Sequence, residues 1–148
     1  MTQKDKNLIL QDLCGRLLYG VKIYCVNWDS DSGTEFSTVE TVIGIDSDFV
    51  YTIWDKTGEK CKHSLKTMSF KPYLRKMDLG LMDDEEIEEY RETFSSVYDI
   101  NDDGEYDDNY HLEFSVESYN WLNKNMYDLN GLIPMGLALE AKEGMYSN

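Results

Sequence analysis

The strongest secondary-structure pattern of this chain lies in residues 21–67, which read VKIYCVNWDSDSGTEFSTVETVIGIDSDFVYTIWDKTGEKCKHSLKT. Apolar and polar residues alternate there in separate stretches, and segments rich in Asp, Ser and Gly divide them. The alternation predicts four strands, at 21–26, 39–45, 49–54 and 60–67. Because the connection at 46–48 is too short for anything but a hairpin turn, we expect an antiparallel meander.

A helix is predicted before the first strand. Leu10, Leu13 and Leu17 recur at intervals of three and four residues, which is the spacing of one helix face. Asp5 precedes them as a possible N-cap, and Gly20 follows where a helix of this register should end. The sequence therefore predicts an opening helix that begins near Asp5 and ends before Gly20.

Two further helices are predicted after the strands. The first, at 83–95, is acidic and carries one narrow apolar stripe of Ile87, Tyr90, Phe94 and Val97. The second begins at the N-cap Ser115, and its apolar side consists of Val116, Tyr119, Trp121, Leu122 and Met126.

These elements predict an α+β fold with an N-terminal helix, a four-stranded antiparallel meander and two later helices. A small barrel of the SH3 or Sm-like kind and an open sheet with helices on one side both agree with the pattern. At 148 residues the chain fits a single domain. We divide it into 1–77 (helix plus strands), 83–110 (acidic helix and loop) and 111–148 (C-terminal helical segment).

Negative charge is concentrated in one stretch. The chain carries a formal net charge of -15, and residues 83–108 hold thirteen carboxylates against a single Arg. We expect a non-enzymatic accessory protein that contacts another macromolecule, an unidentified protein, through this helix and loop. The predicted interaction residues are Glu85, Glu88, Glu89, Glu92, Tyr90, Tyr98 and Tyr106.

The alternative function is calcium binding at residues 99–110. Four oxygen-bearing side chains and a glycine have the spacing of an EF-hand loop: Asp99, Asn101, Asp103, Gly104 and Asp107. Against this, the twelfth loop position holds Tyr110 in place of the bidentate Glu. A solvated acidic loop is the simpler interpretation.

A basic strand is the counterpart of the acidic stretch. Within the predicted strand 60–67, Lys60, Lys62 and Lys66 project to one face, while Cys61, His63 and Leu65 point to the other. The favoured interpretation is a solvated sheet face whose lysines either snorkel, with their stems on apolar surface and their charges in water, or pair loosely with the acidic helix. We do not expect a nucleic-acid partner, because Arg and aromatic residues are not interleaved with these lysines and the acidic stretch would compete.

Little in the sequence indicates a catalytic or metal-binding site. His111 beside Glu113 is the best acid-base pair that the sequence offers, and a histidine without a role is the simpler interpretation. A zinc set of Cys14, Cys25, Cys61 and His63 would lack any Cys-x-x-Cys spacing. No phosphate loop, nucleophile elbow or dinucleotide fingerprint occurs, so we expect neither a cofactor nor an enzyme.

The expected location is the cytoplasm. The three cysteines are odd in number and widely spaced, which favours reduced thiols, and the N-terminal residues have no apolar run of signal-peptide length. No segment approaches the roughly 18 consecutive apolar residues of a membrane span. We therefore expect no membrane contact.

Several motifs carry a resemblance to a known group of proteins. They are WLN at 121–123, DLNGLI at 128–133, GLALEA at 136–141, EGMY at 143–146, LxxLxxRLxYGVK at 10–22, GID at 44–46 and KPYLRxM at 71–77. In these motifs the chain resembles small uncharacterised proteins encoded in gut Bacteroidales genomes and their phages or mobile elements. The resemblance implies no particular activity, so no site residue follows from it.

The C-terminal motifs also have a structural interpretation. Trp121 with Leu132 and Ile133 is predicted to close the core, and Leu137 with Leu139 to form a short buried strand. The alternative is a partner-binding surface that exposes Trp121 and Tyr127.

Overall fold

The structure is a computed structural model, which describes residues 1–94 and 116–146. Its helices are α1 (Gln3–Arg16), α2 (Asp84–Phe94) and α3 (Val116–Lys124), and its strands are β1 (Lys22–Asp29), β2 (Thr34–Ile45), β3 (Phe49–Trp54), β4 (Lys60–Ser64), β5 (Phe70–Leu74) and β6 (Leu139–Glu140). Short 3₁₀ turns occupy Leu17–Tyr19 and Leu79–Leu81. Within the described ranges, no helix has the length and apolarity needed to cross a membrane.

The strands form one open sheet in the order β4-β3-β2-β1-β5-β6. All neighbouring pairs are antiparallel except β5 and β6, which are parallel. The α+β class and the antiparallel meander are thereby confirmed, and the closed-barrel alternative is wrong. The barrel does not close because β1 pairs on its second side with β5, which leaves β4 and β6 at opposite ends of the sheet.

Strand limits differ from the predicted ones for local reasons. β2 begins at Thr34 because it pairs with β1 as far as Asp29, whose carboxylate accepts hydrogen bonds from the Asp31 amide at 2.9 Å and the Ser32 hydroxyl at 3.0 Å. β3 has the predicted bounds, whereas β4 ends at Ser64, earlier than predicted. The sequence pattern did not predict β5.

The cap of α1 is Thr2, so the prediction of Asp5 as N-cap is wrong. The Thr2 hydroxyl accepts a hydrogen bond from the Asp5 amide at 3.1 Å, and the Asp5 carboxylate accepts one from the Thr2 amide at 2.8 Å. This reciprocal arrangement satisfies two free amides of the first turn. After the 3₁₀ turn that follows α1, Gly20 adopts a left-handed φ of 71°, which ends the helical segment as predicted.

The main core lies between α1 and one face of the sheet, which we call the inner face. Ile9 and Leu13 of α1 are fully buried there. The buried strand residues of the same cluster are Ile23, Cys25, Val42, Val50, Phe70 and Leu74, and Val21 is buried just before β1. Full burial of each large aliphatic side chain contributes about 1.5–3 kcal/mol, so this face holds most of the apolar stabilisation.

A second core cluster joins α2 to α3. Met82, Leu122 and Tyr127 are buried in it, and Ile87 and Tyr90 of the predicted stripe pack against it. On α3 the predicted apolar side is partly wrong, because Val116 is 76% exposed while Ser118 and Asn123 are buried. The reason is a close approach to α1: a Cβ atom at Gly15 would lie 3.3 Å from the Asn123 amide nitrogen, so small and polar residues fill this contact.

Polar contacts tie the C-terminal segment to the rest of the fold. The fully buried Arg16 side chain binds the Asp12 carboxylate with two hydrogen bonds of 2.8 Å and donates to the Tyr127 carbonyl at 2.7 Å. The Tyr146 hydroxyl accepts from the Lys22 amide at 2.9 Å and donates to the Tyr73 carbonyl at 2.8 Å. These contacts join α1, β1 and β5 to residues far along the chain.

The C-terminal motifs contribute to the core, as the structural interpretation predicts. Leu132 is fully buried, and Tyr127, also fully buried, stacks on Trp121 with the ring centroids 5.5 Å apart. The alternative surface that exposes Tyr127 is therefore wrong. The predicted short buried strand of Leu137 and Leu139 is confirmed in part: Leu137 is buried just before β6, which pairs with β5, and Leu139 of β6 is half-buried.

Candidate functional site

The acidic helix α2 is anchored by one of its own carboxylates. Glu86 points inward and binds Arg75 with hydrogen bonds of 2.5 and 3.0 Å, and the Arg75 guanidinium lies over the Tyr127 ring at 4.5 Å. Asp83 caps the helix by accepting from the Glu86 amide at 2.8 Å. The hydrogen bonds from Arg75 outweigh partial burial and lower the pKa of Glu86.

Most of the other predicted interaction residues on α2 are exposed. Glu85, Glu88, Glu89 and Glu92 have exposed side chains. Glu89 also accepts a hydrogen bond from the Trp121 indole at 3.0 Å. Tyr90 is half-buried and packs edge-on against Trp121, with the ring centroids 5.9 Å apart, so it stabilises the helix more than it extends the surface.

A groove of about 800 Å³ runs between α2 and the C-terminal residues 140–146. Charged side chains dominate its walls, with six acids and three bases: Asp83, Glu85, Glu86, Glu89, Glu140 and Glu143, and Arg75, Lys76 and Lys142. Two of the bases are already paired, Arg75 with Glu86 and Lys76 with Glu140 at 2.9 Å. The groove therefore presents an excess of negative charge to any ligand.

The remaining predicted site residues lie outside the part of the chain that the structure describes. They are Tyr98 and Tyr106 of the interaction surface, the calcium candidates Asp99, Asn101, Asp103 and Asp107, and the pair His111 and Glu113. Calcium binding at 99–110 stays a prediction.

The basic strand does not neutralise α2. Lys60 and Lys62 lie on the outer face of β4, and the ammonium of Lys62 lies 4.5 Å from the centroid of the Phe49 ring. Lys66 falls in the turn after β4, where its carbonyl accepts from the Lys6 ammonium. Within the described ranges, no ion pair joins these lysines to α2, so the predicted loose pairing is wrong there.

A second group of polar residues lies on the inner face, which the sequence pattern did not predict. Glu40 is 1% exposed and accepts hydrogen bonds from the hydroxyls of Thr38 at 2.7 Å and Thr52 at 2.5 Å, and its carboxylate contacts His63 Nε2 at 2.5 Å. Burial alone would raise the pKa of Glu40, but the hydrogen bonds from Thr52, Thr38 and His63 outweigh burial and lower it.

The apolar residues of β2 do not all lie on the inner face. Val39, Thr41, Ile43 and Ile45 form the apolar series of the strand predicted at 39–45, yet Ile43 is 48% exposed. Pairing with β1 sets Glu40 opposite Ile23, so the even-numbered positions face inward as far as Val42. A bulge between Val42 and Gly44 then shifts the register, and Ile45 packs against the core.

Cys25 completes this group, but it is not suited to nucleophilic catalysis. Its side chain is fully buried, and burial together with the nearby Glu40 charge raises the pKa of the thiol. The four-residue zinc set that the sequence did not favour, Cys14, Cys25, Cys61 and His63, is not assembled. Cys25 and His63 instead meet Glu40, with one ligand atom of each within 4.8 Å of the others, while the exposed Cys14 on α1 is outside the group. The inner face of the sheet thus brings together the Cys25 thiol, the Glu40 carboxylate and the His63 imidazole.

Comparison of the chain with protein-family models, with curated proteins and with solved structures found no match. The resemblance to Bacteroidales proteins stays a prediction. The function is therefore argued from the geometry of this chain alone.

Proposed function

We propose that this protein is a non-enzymatic accessory protein that binds a basic segment of another protein through α2 and the adjoining groove. The observation that supports this most directly is the division of the α2 carboxylates. Glu86 fixes the helix from within, whereas Glu85, Glu88 and Glu89 stay exposed along one side of the molecule.

The anchoring of α2 makes its acidic surface a rigid one. The helix is joined to the fold through Arg75 and through the packing of Ile87 and Tyr90 on the second core cluster. Binding to a rigid surface costs less conformational entropy than binding to a loose segment. The exposed carboxylates of α2 are therefore already fixed in position before a partner binds.

The charge of the groove defines the chemistry of that partner. Six acids against three bases favour lysine and arginine side chains, and the field of the chain's net charge of -15 attracts a basic partner from a distance. Phosphate backbones would be repelled by the same field. The expected partner is a basic protein segment, and its binding should weaken as salt rises.

The test compares two triple variants that remove the same charge. Glu85→Gln, Glu88→Gln and Glu89→Gln together neutralise the α2 surface, while Asp31→Asn, Glu35→Gln and Glu59→Gln neutralise exposed acids elsewhere. The probe is a fluorescently labelled oligolysine peptide, and fluorescence anisotropy measures its affinity at low and high salt. We expect the α2 variant to bind at least about tenfold more weakly than the matched control, because a local surface recognises the probe.

Equal losses in the two variants would show that only overall charge attracts the peptide. Such a result, or binding of the wild-type chain that does not respond to salt, would overturn the proposal. Glutamine at position 89 keeps an acceptor for the Trp121 indole, so the substitution leaves that hydrogen bond in place.

A further inference from the structure

Three strands bring side-chain atoms that can bind a metal ion together on the inner face of the sheet. The thiol comes from Cys25 on β1, the carboxylate from Glu40 on β2 and the imidazole from His63 on β4, and one ligand atom of each lies within 4.8 Å of the others. Continuous backbone pairing from β1 through β4 fixes their positions. The arrangement is independent of any loop.

The supporting contacts around these atoms are already formed. Hydroxyls of Thr38 and Thr52 hold the Glu40 carboxylate, and the Asn27 side-chain amide donates to the Thr38 hydroxyl at 2.9 Å. The Phe70 ring packs edge-on against the His63 ring, with the centroids 6.1 Å apart. Hydrogen bonds and packing of this kind orient ligands around protein-bound metals and raise their affinity.

The charges of the three groups match a divalent ion. One thiolate, one carboxylate and one neutral imidazole around a 2+ ion sum to zero, which avoids leaving a net charge in the interior. Sulfur and nitrogen donors select borderline-soft ions such as Zn²⁺ and disfavour Ca²⁺ and Mg²⁺, which prefer oxygen.

The geometry points to a zinc site in which Cys25 Sγ, a Glu40 carboxylate oxygen and His63 Nε2 are the three protein ligands and water fills the fourth position. On binding, the Cys25 thiol loses its proton to solvent as the sulfur–zinc bond forms. The hydrogen bond between His63 Nε2 and the Glu40 carboxylate breaks, its proton leaves to solvent, and zinc takes the place of that proton between the two groups. Zinc is not oxidised or reduced. This site is separate from the α2 surface.

Cys61 is close by but is not assigned as a ligand. It follows the same inward alternation of β4 as His63, yet its sulfur contacts the Glu59 carbonyl at 3.8 Å and it is not part of the group of mutually close donor atoms. The interpretation without a metal is a buried hydrogen-bond network centred on Glu40. The two interpretations differ in whether the wild-type chain binds a metal through Cys25.

Cobalt titration separates these interpretations, because Co²⁺ replaces Zn²⁺ in such sites and a bound thiolate gives a charge-transfer absorption band. Protein freed of metal by a chelator is titrated with Co²⁺, and Zn²⁺ is then added in competition. We expect a stoichiometric band in the wild-type chain that Zn²⁺ removes, and no band in Cys25→Ser. His63→Gln and Glu40→Gln should each weaken binding by more than about a hundredfold, beyond the 10–100-fold typical of lost supporting contacts.

The matched control is the double variant Cys14→Ser with Cys61→Ser, in which Cys25 is the only remaining cysteine. It should keep the band at wild-type affinity, and it keeps the test decisive even if Cys25→Ser fails to fold. The thermal midpoint of the wild-type chain should also rise with Zn²⁺, since a ligand of the native state stabilises it. Absence of the band from the wild type, its survival in Cys25→Ser, or its loss from the double variant would overturn the zinc site.

Discussion

The acidic helix α2 and the inner face of the sheet use carboxylates in opposite ways. α2 has many acids, most of them exposed to water, and one of them, Glu86, anchors the helix. The inner face holds the acid Glu40, which is 1% exposed and has three hydrogen-bonding partners. Exposed carboxylates are therefore concentrated on α2, whereas the carboxylate that is held by protein hydrogen bonds lies on the inner face.

The physical origin of the difference is solvation. Water screens an exposed carboxylate, so its contribution to stability is small and its main effect is the field it adds to the surface. A buried carboxylate has lost its water, so protein donors must replace that water in full. The exposed α2 acids can consequently be changed with little effect on folding, whereas Glu40 cannot.

Removal of the Glu40 carboxylate is expected to have the largest effect. Glu40→Ala leaves the Thr38 and Thr52 hydroxyls and His63 without their shared acceptor, so the free energy of unfolding of the metal-free protein should fall by about 3 to 5 kcal/mol. Urea unfolding followed by tryptophan fluorescence measures this loss. Glu88→Ala on exposed α2 is the control and should stay within about 0.5 kcal/mol of wild type; equal losses in both variants would contradict the comparison.

Glu86 lies between these extremes, so Glu86→Gln should have an intermediate effect. The loss of its charged hydrogen bonds to the partly exposed Arg75 should cost about 1 to 2 kcal/mol at pH 7. Because the folded-state pKa of Glu86 is lowered, its stabilisation is present above the unfolded-state value of about 4.3 and is lost as pH falls through the lower folded-state value.

The difference between wild type and Glu86→Gln should therefore shrink as the pH is lowered below about 4.3. Urea unfolding at pH 7 and at successively lower pH measures this change. Glu85→Gln is the matched control on the same helix and should show neither the loss at pH 7 nor the pH dependence. A difference that grows toward acid pH would contradict the assignment of Glu86 as the anchor.

The smallest effect is expected from an exposed acid on α2. Glu88 has like-charged neighbours four residues away on both sides, Asp84 and Glu92, and such pairs destabilise a helix by about 0.2 to 0.5 kcal/mol each. Glu88→Gln should therefore raise the free energy of unfolding by a few tenths of a kcal/mol at low salt. The gain should vanish at high salt, and a clear loss of stability would show that Glu88 has a structural role.

The parts of the fold that depend on local pattern were predictable from the sequence. Alternation at 49–54 gave the bounds of β3, and the stripe of Ile87 and Tyr90 correctly indicated the packed side of α2. The strand β5, which contains Pro72, was not predicted. Its formation depends on pairing with β1 and β6, which are distant in sequence, and periodicity does not report such pairing.

The Glu40 group could not be found from residue spacing. Glu40 and His63 are 23 positions apart, and Cys25 joins them only because β1, β2 and β4 are set in register in one sheet. The apolar series Val39, Thr41, Ile43 and Ile45 also indicated the opposite face of β2, and the bulge after Val42 that reconciles the two has no clear sequence signal. The cluster of acids at 83–108 could be read from the sequence. The burial of Glu40 could be known only from the register in which β2 pairs with β1.

The position of β4 at the end of the sheet has a consequence for how copies of this protein behave in solution. One side of β4 pairs with β3, and in the part of the chain that the structure describes no strand pairs with its other side, whose backbone amides and carbonyls a strand from a second molecule could extend. Lys60 and Lys62 are exposed on this short strand. Because like charges on two such edges repel, we expect these lysines to disfavour edge-to-edge association of two copies.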